Sequence, residues 1–411
     1  MSRHRKQTIQ HEDGSPVKQQ EAQQLFAEVH RLHKAGQNNS QIAEALQLRR
    51  ATVIEWLGRE SYQDNRGWKQ GRARKHTDPA MVKRICRLKQ RRVHDNYLVG
   101  SEYVQMDYCK SYPGLEVPSV WFIDSVVRKA GLQTRKPKTK RRGGSAYLLY
   151  PVVSMHRLGL IQESADFIGK KYLDGSPRPV TIFSSCYYRP FKMYQIQRTE
   201  AEKTKLAIEI LSQQWTEFPV PHVLRMDNGT PFRGNGNTVR FLGSFVVFLL
   251  NLGIVPLFGS PSRPWTNGAV EGHNRVFTEK VWLRNRFSSL EEVDRETKRF
   301  NDEGREFFQF RYQSLVDRFR TRCLGPTRKI ETEHLRTRRN KKITFIRFVE
   351  PSLDEPRPHI VVMNERVFLP EPYMHQFVFA TWDLEEQQLS IVSEYQGTCT
   401  PVLRRPFKIN G

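Results

Sequence analysis

Two acidic residues stand where a folded chain could use them for chemistry, and the first of them is Asp227. A short apolar run over residues 223–226 precedes it and predicts a buried strand. Asn228-Gly229 follows at once, and this pair predicts a sharp turn with positive φ. The carboxylate would therefore lie at the carboxyl end of a core strand, where open α/β sheets place their chemistry.

The second acid is Glu271. It follows a loop, residues 260–268, whose prolines, asparagine and glycine interrupt regular structure, and a helix is predicted from Ala269 onward. Asn274 and Arg275 come three and four residues later, so one helical surface presents a carboxylate, an amide and a cation. A single acid is most often an ordinary surface group. Two acids on core elements point instead to a divalent metal, which needs several hard oxygen ligands.

We identify the third acid as Asp166. The segment 158–169 mixes apolar and polar residues as a sheet strand does, and two more strand-like runs follow at 180–188 and 191–196. Asp107 lies in a similar local context, Gln-Met-Asp-Tyr, but its neighbours predict helices and turns, so we reject it. From Asp166 onward the sequence predicts three strands, a helix, a strand, a helix, a strand and a helix.

This set of acids resembles the Asp, Asp, Glu signature of retroviral integrases and bacterial insertion-sequence transposases, the DDE transposases of the retroviral-integrase superfamily. The residues that carry the resemblance are Asp166, Asp227-Asn228-Gly229 and Glu271-Gly-His-Asn274, and the segment 260–271 is its most specific part. The resemblance covers residues 155–315. One feature departs from the retroviral pattern, because 43 residues, 228–270, separate the second acid from the third. The excess fits a glycine-rich loop at 232–238.

The resemblance implies a ribonuclease-H-like catalytic core that holds two Mg²⁺ ions, for which Mn²⁺ is expected to substitute. Asp166 would bridge the two ions, with Asp227 on one and Glu271 on the other. Water would cleave the phosphodiester at the end of a mobile element, and the freed 3′-OH would then attack target DNA. Asn274 and Arg275 would either touch DNA or support Glu271.

Two other functions stay open at this stage. A domesticated transposase could bind DNA as a regulator without catalysis, although the intact set of three acids argues against that reading. A nuclease of the same fold would cut DNA and never join it. The sequence does not separate these alternatives from strand transfer.

The composition predicts a polyanionic partner. The 411-residue chain has 67 Lys and Arg against 43 Asp and Glu, a formal net charge of +24. Such a surface favours double-stranded DNA, both element ends and target, with a generic basic surface as the alternative. The five cysteines include no Cys-x-x-Cys pair, so we expect no zinc site or disulfide framework, and a reducing cytoplasm fits. The resemblance to bacterial transposases implies a bacterial cytoplasm with nucleoid association. Neither a signal peptide nor a membrane span is predicted.

Residues 19–60 predict a helix-turn-helix DNA-binding domain. Ser40 is the expected N-cap of the second helix. In the third helix, Val53, Ile54 and Leu57 are expected to face inward, and a small bundle without DNA binding is the alternative. The outward residues of this helix, with Glu55 beside them, are the predicted DNA contacts Arg49, Arg50 and Thr52.

The rest of the chain divides by composition. We expect a disordered tail at 1–18, a linker at 61–76, a second helix-turn-helix-like domain at 77–134, a basic linker at 135–150, the catalytic core at 151–315, a second basic linker at 316–342 and a small β-barrel at 343–411. The barrel would bind DNA or serve subunit contacts. The predicted phosphate contacts of the linkers are Arg135, Lys136, Lys138, Lys140, Arg141, Arg142, Arg336, Arg338 and Arg339. The resemblance also allows a homo-oligomer on DNA and an ATPase helper.

Overall fold

The computed structural model describes residues 19–62, 78–95, 98–133, 150–234, 238–325, 340–351, 356–395 and 397–410. The contacts divide the chain into two compact units, Met1–Lys83 and Arg84–Gly411. The predicted tail at 1–18 lies outside the described residues. So do all the predicted phosphate contacts of the two basic linkers, namely Arg135, Lys136, Lys138, Lys140, Arg141, Arg142, Arg336, Arg338 and Arg339.

The first unit contains three short helices around a small apolar core. They are α1 (Gln19–Lys34), α2 (Asn39–Ala45) and α3 (Arg50–Leu57). The N-cap of α2 is Asn38 and not Ser40, because the Asn38 side chain accepts from two backbone amides while Gln41 returns a bond to the Asn38 backbone.

The inward face of α3 also differs from the prediction. Val53 and Trp56 are buried, whereas Ile54 is 50% exposed. Trp56 packs edge-on against Phe26 of α1 with 5.7 Å between the ring centroids, and this large contact sets the rotation of the helix. An i, i+3 pair therefore points inward, and Ile54 is turned toward solvent.

Among the described residues, several helices lie between α3 and the first strand of the sheet. α4 (Pro79–Asp95) contains the boundary between the two units, and α5 (Ser101–Ser111) and α6 (Val120–Lys129) follow it. Asp107 lies inside α5, where its Oδ1 accepts a 2.7 Å hydrogen bond from Nη2 of Arg92. The rejection of Asp107 as a strand-borne acid is therefore confirmed.

The sheet begins with three antiparallel strands, β1 (Gln162–Tyr172), β2 (Pro179–Arg189) and β3 (Met193–Thr199). Two short strands, β4 (Val223–Met226) and β5 (Val255–Phe258), then run parallel to β1. The predicted order of strands and helices is confirmed except for one addition, a four-residue helix at Thr230–Arg233 that follows β4. The helices of this region are α7 (Val152–Arg157), α8 (Thr204–Glu217), α9 (Thr230–Arg233), α10 (Ser244–Asn251), α11 (Gly268–Lys280) and α12 (Leu290–Asp317).

Four of the described strands of the carboxyl-terminal region extend the core sheet, so this region is not the separate barrel predicted from the sequence. β6 (Lys342–Phe348) pairs in parallel with β5, and β10 (Phe377–Asp383), β11 (Gln388–Tyr395) and β12 (Thr398–Pro406) follow outward. The nine-stranded order is β12-β11-β10-β6-β5-β4-β1-β2-β3. A second sheet consists of β7 (Glu350–Pro351), β8 (Pro358–Val362) and β9 (Glu365–Phe368). The pairing has a physical reason, since β5 would otherwise leave its backbone groups unpaired at an edge.

At the opposite edge, α12 covers β3. The Asn301 amide donates to the carbonyl oxygen of Ile196 over 2.7 Å and accepts from its N–H over 2.9 Å. Gly304 lies so close to β3 that a Cβ there would sit 2.5 Å from the Tyr194 ring. The chain is thus a mixed α/β protein built on one large sheet. None of the described helices combines the length and the apolar composition that crossing a membrane requires.

Candidate active site

The sheet register brings Asp166 and Asp227 to neighbouring positions. β1 and β4 run parallel, with Ser164 opposite Arg225. Extending this register by two residues places Asp166 beside Asp227, with both side chains on the same face of the sheet as Ser164 and Arg225. Asp166 is half-buried within β1, whereas Asp227 lies just beyond β4 and is exposed.

The turn after Asp227 differs from the predicted one. Gly229 has φ −59° and ψ 152°, so it does not adopt a left-handed conformation. Its amide donates to Oδ1 of Asp227 over 2.9 Å, and a Cβ at Gly229 would lie 3.0 Å from that oxygen. Glycine is therefore favoured by the close approach of the carboxylate and not by a positive φ.

Asn267 fixes the start of α11 against β1. Its Nδ2 donates to the carbonyl oxygen of Ala165 over 3.3 Å, and its Oδ1 accepts from the Ser164 hydroxyl. This contact sets the helix on the face of β1 that carries Asp166. Glu271 lies in the first turn of α11 and is half-buried.

Asn274 contacts an acid other than the one predicted for it. Its Nδ2 donates to Oδ2 of Asp166 over 3.0 Å, and its Oδ1 is buried with no hydrogen-bond partner among the described residues. The amide therefore supports Asp166 directly. Arg275 is exposed on the same helix. Whether either residue touches DNA stays a prediction.

Two of the acids raise the cost of ionising the third, Asp166. Burial, followed by the charges of Asp227 and Glu271, raises the pKa of Asp166 to about 7. Desolvation by the surrounding protein also raises the pKa of Asp227, and the Gly229 amide opposes it. For Glu271 burial raises the pKa and the charge of Arg225 opposes it. Such a cluster favours either a bound proton or a bound cation.

The chemistry of the donors fits a hard divalent cation, which prefers carboxylate oxygens. Asp166 supports this fit best, because its ionised form is disfavoured by the two nearby acids and a cation would remove that penalty. Within the described residues, no three His, Cys, Asp or Glu side chains are already grouped closely enough to hold a metal ion as they stand.

The sequence analysis missed Arg225, which lies next to this cluster. Arg225 is buried in β4, and its Nη2 donates to the hydroxyl of Tyr150. Tyr150 in turn donates to the carbonyl oxygen of Thr266 over 3.1 Å, one residue before Asn267. A cation in the middle of the apolar run 223–226 was the signal for such a role. Through Tyr150, Arg225 thus stabilises the segment that leads into α11.

The predicted DNA contacts of the first unit are accessible in part. Arg49 and Arg50 are exposed, and Thr52 is half-buried. In α3 the exposed face also includes Ile54 and Glu55.

No family model matches the chain, and no curated protein matches it either. Among solved structures, one match is a chain from the cryo-electron microscopy structure of the simian T-cell lymphotropic virus intasome in complex with the PP2A regulatory subunit B56 gamma. The match has a TM-score of 0.30 and 11% sequence identity, and it covers 71% of this chain and 91% of that chain.

Proposed function

We propose that the chain is a Mg²⁺-dependent DNA strand transferase of the DDE transposase and integrase type. The observation that carries this proposal is the setting of Asp166, whose carboxylate lies among the charges of Asp227 and Glu271 beside the parallel pair β1–β4. The strand order β5-β4-β1-β2-β3, in which β1, β2 and β3 pair antiparallel in sequence and β4 and β5 run parallel to β1, supports a ribonuclease-H-like core for it.

Asp166, Asp227 and Glu271 would hold two Mg²⁺ ions, or Mn²⁺ in their place. Bound there, the ions would supply an activated oxygen nucleophile and stabilise the leaving oxygen of a phosphodiester. The chain's own groups keep the carboxylates in position. Asn274 holds Asp166, the Gly229 amide holds Asp227, and Asn267 holds the helix that carries Glu271.

The substrate in this proposal is double-stranded DNA, with element ends and target bound together by a homo-oligomer. The net charge of +24 supports a polyanionic partner, and Arg49 and Arg50 expose cations on α3. Strand transfer of this kind would take place on the nucleoid in a bacterial cytoplasm. An ATPase helper is compatible with it.

The experiment is joining of a labelled pre-cleaved DNA end to a plasmid in Mg²⁺. Glu271→Gln keeps the volume of the side chain and removes its charge, so folding and DNA binding should survive. Joining should fall by about a hundredfold or more, because a metal's charge stabilisation contributes several kcal/mol. Glu279→Gln, an exposed position on the same helix, is the matched control and should join like the unmodified protein.

The same assay separates the alternatives. An inert regulator would bind DNA ends and neither cut nor join them. A nuclease would cut the ends but leave a pre-cleaved end unjoined. If the Glu271→Gln protein still joined DNA, the proposed role of Glu271 as a metal ligand would be wrong.

A further inference from the structure

Arg347 of β6 is a buried cation that contacts the segment next to Asp227. Its side chain is 4% exposed. Nη2 donates to Oδ1 of Asn228 over 2.9 Å, Nη1 donates to the carbonyl oxygen of Gly259 over 2.6 Å, and Nε donates to that of Val361 over 2.6 Å. One guanidinium thereby joins the end of β5, the turn after β4 and strand β8.

Hydrogen bonds to Gly259 hold the residues immediately before and after Asp227. Asn228 Nδ2 donates to the Gly259 carbonyl oxygen over 2.8 Å, so Asn228 uses both ends of its amide. The Gly259 amide donates to the carbonyl oxygen of Met226 over 2.9 Å. The residues before and after Asp227 are therefore both tied to Gly259, and Arg347 holds Gly259 and Asn228 together.

The form of this contact is costly for a purely structural tie. The acceptors of Arg347 are neutral oxygens, and burial, with the charge of Arg233, lowers the pKa of Arg347 to about 9. Even a buried ion pair can often be replaced by well-packed apolar residues without loss of stability, and Arg347 has no charged acceptor among these oxygens. A neutral hydrogen bond already links β6 to β5 without a buried charge, because the buried hydroxyl of Thr344 donates to the Pro256 carbonyl oxygen over 2.9 Å. A planar fork of donors suits the holding of several acceptors in fixed directions.

We propose that Arg347 is a positioning residue for Asp227, and that strand β6 therefore completes the active site from the carboxyl-terminal part of the chain. This inference rests on the proposed function, since it gives Asp227 a role as a metal ligand. Arg347 acts through Asn228 and Gly259. It donates to Asn228 and to the Gly259 carbonyl oxygen, so Arg347 acts on the position of Asp227 and not on its charge.

The variants for the test are Arg347→Lys and Asn228→Ala. The first keeps the positive charge and loses the planar guanidinium, and the second removes the amide oxygen that accepts from Nη2 of Arg347. Thr344→Val is the matched control, because it deletes a buried bond between β6 and β5 without contacting Asn228. Two quantities are measured on each full-length protein. One is the affinity of the DNA-free protein for Mn²⁺ by calorimetry, and the other is the kcat and the KM for DNA in the joining assay.

We expect Arg347→Lys and Asn228→Ala to bind Mn²⁺ about 10- to 100-fold more weakly, as is typical when a partner that orients a metal ligand is lost. Joining kcat at a fixed Mn²⁺ concentration should fall with the affinity, while the KM for DNA should stay unchanged. Thr344→Val should lower the melting temperature and leave the Mn²⁺ affinity and kcat unchanged. Combining Arg347→Lys with Asn228→Ala should cost no more than either change alone, because the two residues act as one unit.

A lower melting temperature with unchanged Mn²⁺ affinity in both Arg347→Lys and Asn228→Ala would overturn the inference. If Arg347→Lys fails to fold, the half-buried Asn228→Ala decides by the same criterion. The two proposals fail in different ways. An unmodified protein that binds Mn²⁺ and joins no DNA removes the proposed function, and the Mn²⁺ affinities still test the positioning of Asp227.

Discussion

The two faces of strand β1 carry two carboxylates whose pKa values are raised to a similar level but whose neighbours are of opposite kinds. Burial raises the pKa of both Glu163 and Asp166 to about 7. Glu163 faces α8 and is fully buried, and it accepts hydrogen bonds from Gln214 over 2.5 Å and from Trp215 over 2.8 Å. The hydroxyl of Ser185 donates to the other end of the Gln214 amide over 2.6 Å and so fixes its orientation.

The face that carries Asp166 is organised in the opposite way. Asp166 is half-buried and accepts from Asn274, and after burial the next causes of its raised pKa are the charges of two other acids. Hydrogen-bond donors inside the fold stabilise the ionised form of Glu163, whereas the acids near Asp166 destabilise its ionised form. A shifted pKa alone does not mark a functional group, because structural networks shift pKa values too. The sign of the neighbours is what distinguishes a structural carboxylate from one suited to a cation.

Neutralising each carboxylate in turn tests the difference between the two faces most directly. Asp166→Asn should reduce joining by about a hundredfold or more and abolish the rise in melting temperature that Mn²⁺ gives the unmodified protein. Glu163→Gln should keep the Mn²⁺ effect and joining. It should lose about 1–3 kcal/mol of stability, because its new NH2 group faces one of the two donors, Gln214 or Trp215, and that pair of donors loses its hydrogen bond. Loss of joining by a folded Glu163→Gln protein would contradict the division between the two faces.

The sequence predicts the order of the elements well because apolar periodicity and turn residues are local signals. It placed Asp227 after a strand and Glu271 on a helix for that reason, and the use of these acids in catalysis stays a prediction. The pairing of β6 with β5 could not be predicted in this way, since more than eighty residues separate Leu257 from its partner Thr344. Arg347 escaped notice for the same reason, because a charged residue in a strand looks like a surface residue until its neighbours are known.

A smaller effect concerns the pH dependence of stability without metal. Both Asp166 and Glu163 have a pKa of about 7 in the fold, against ordinary values of 3.8 and 4.5. The folded protein therefore retains protons that the unfolded chain has released. The stability due to each group is fully present below about pH 4 and is lost as the pH rises to about 7, by up to about 1.4 kcal/mol per pH unit for each proton.

Denaturation at several pH values, with and without Mn²⁺, checks this slope. Between about pH 5 and 7, the free energy of unfolding should decline less steeply in Asp166→Asn and in Glu163→Gln than in the unmodified protein. Each variant should remove the part of the decline that is due to the carboxylate it lacks. Saturating Mn²⁺ should cancel the share of Asp166 alone, because metal binding needs the ionised carboxylate. A Mn²⁺ effect that also removes the share of Glu163 would mean that the two faces are coupled.

The smallest expected effect comes from the close approach of Gly229 to the Asp227 carboxylate. Gly229→Ala introduces no backbone strain at φ −59°, but its Cβ would lie 3.0 Å from one oxygen of Asp227 and 3.3 Å from the other. The carboxylate must turn aside, so joining should fall by about tenfold, comparable with the loss of a partner that orients a ligand. Gly272→Ala is the matched control next to Glu271, since its Cβ would meet nothing within 4 Å and alanine favours the helix by about 1 kcal/mol. Joining rates and melting temperatures of the two variants decide the point. If Gly229→Ala joins as well as Gly272→Ala, the position of the Asp227 carboxylate is not critical, and crowding by the turn does not explain the glycine.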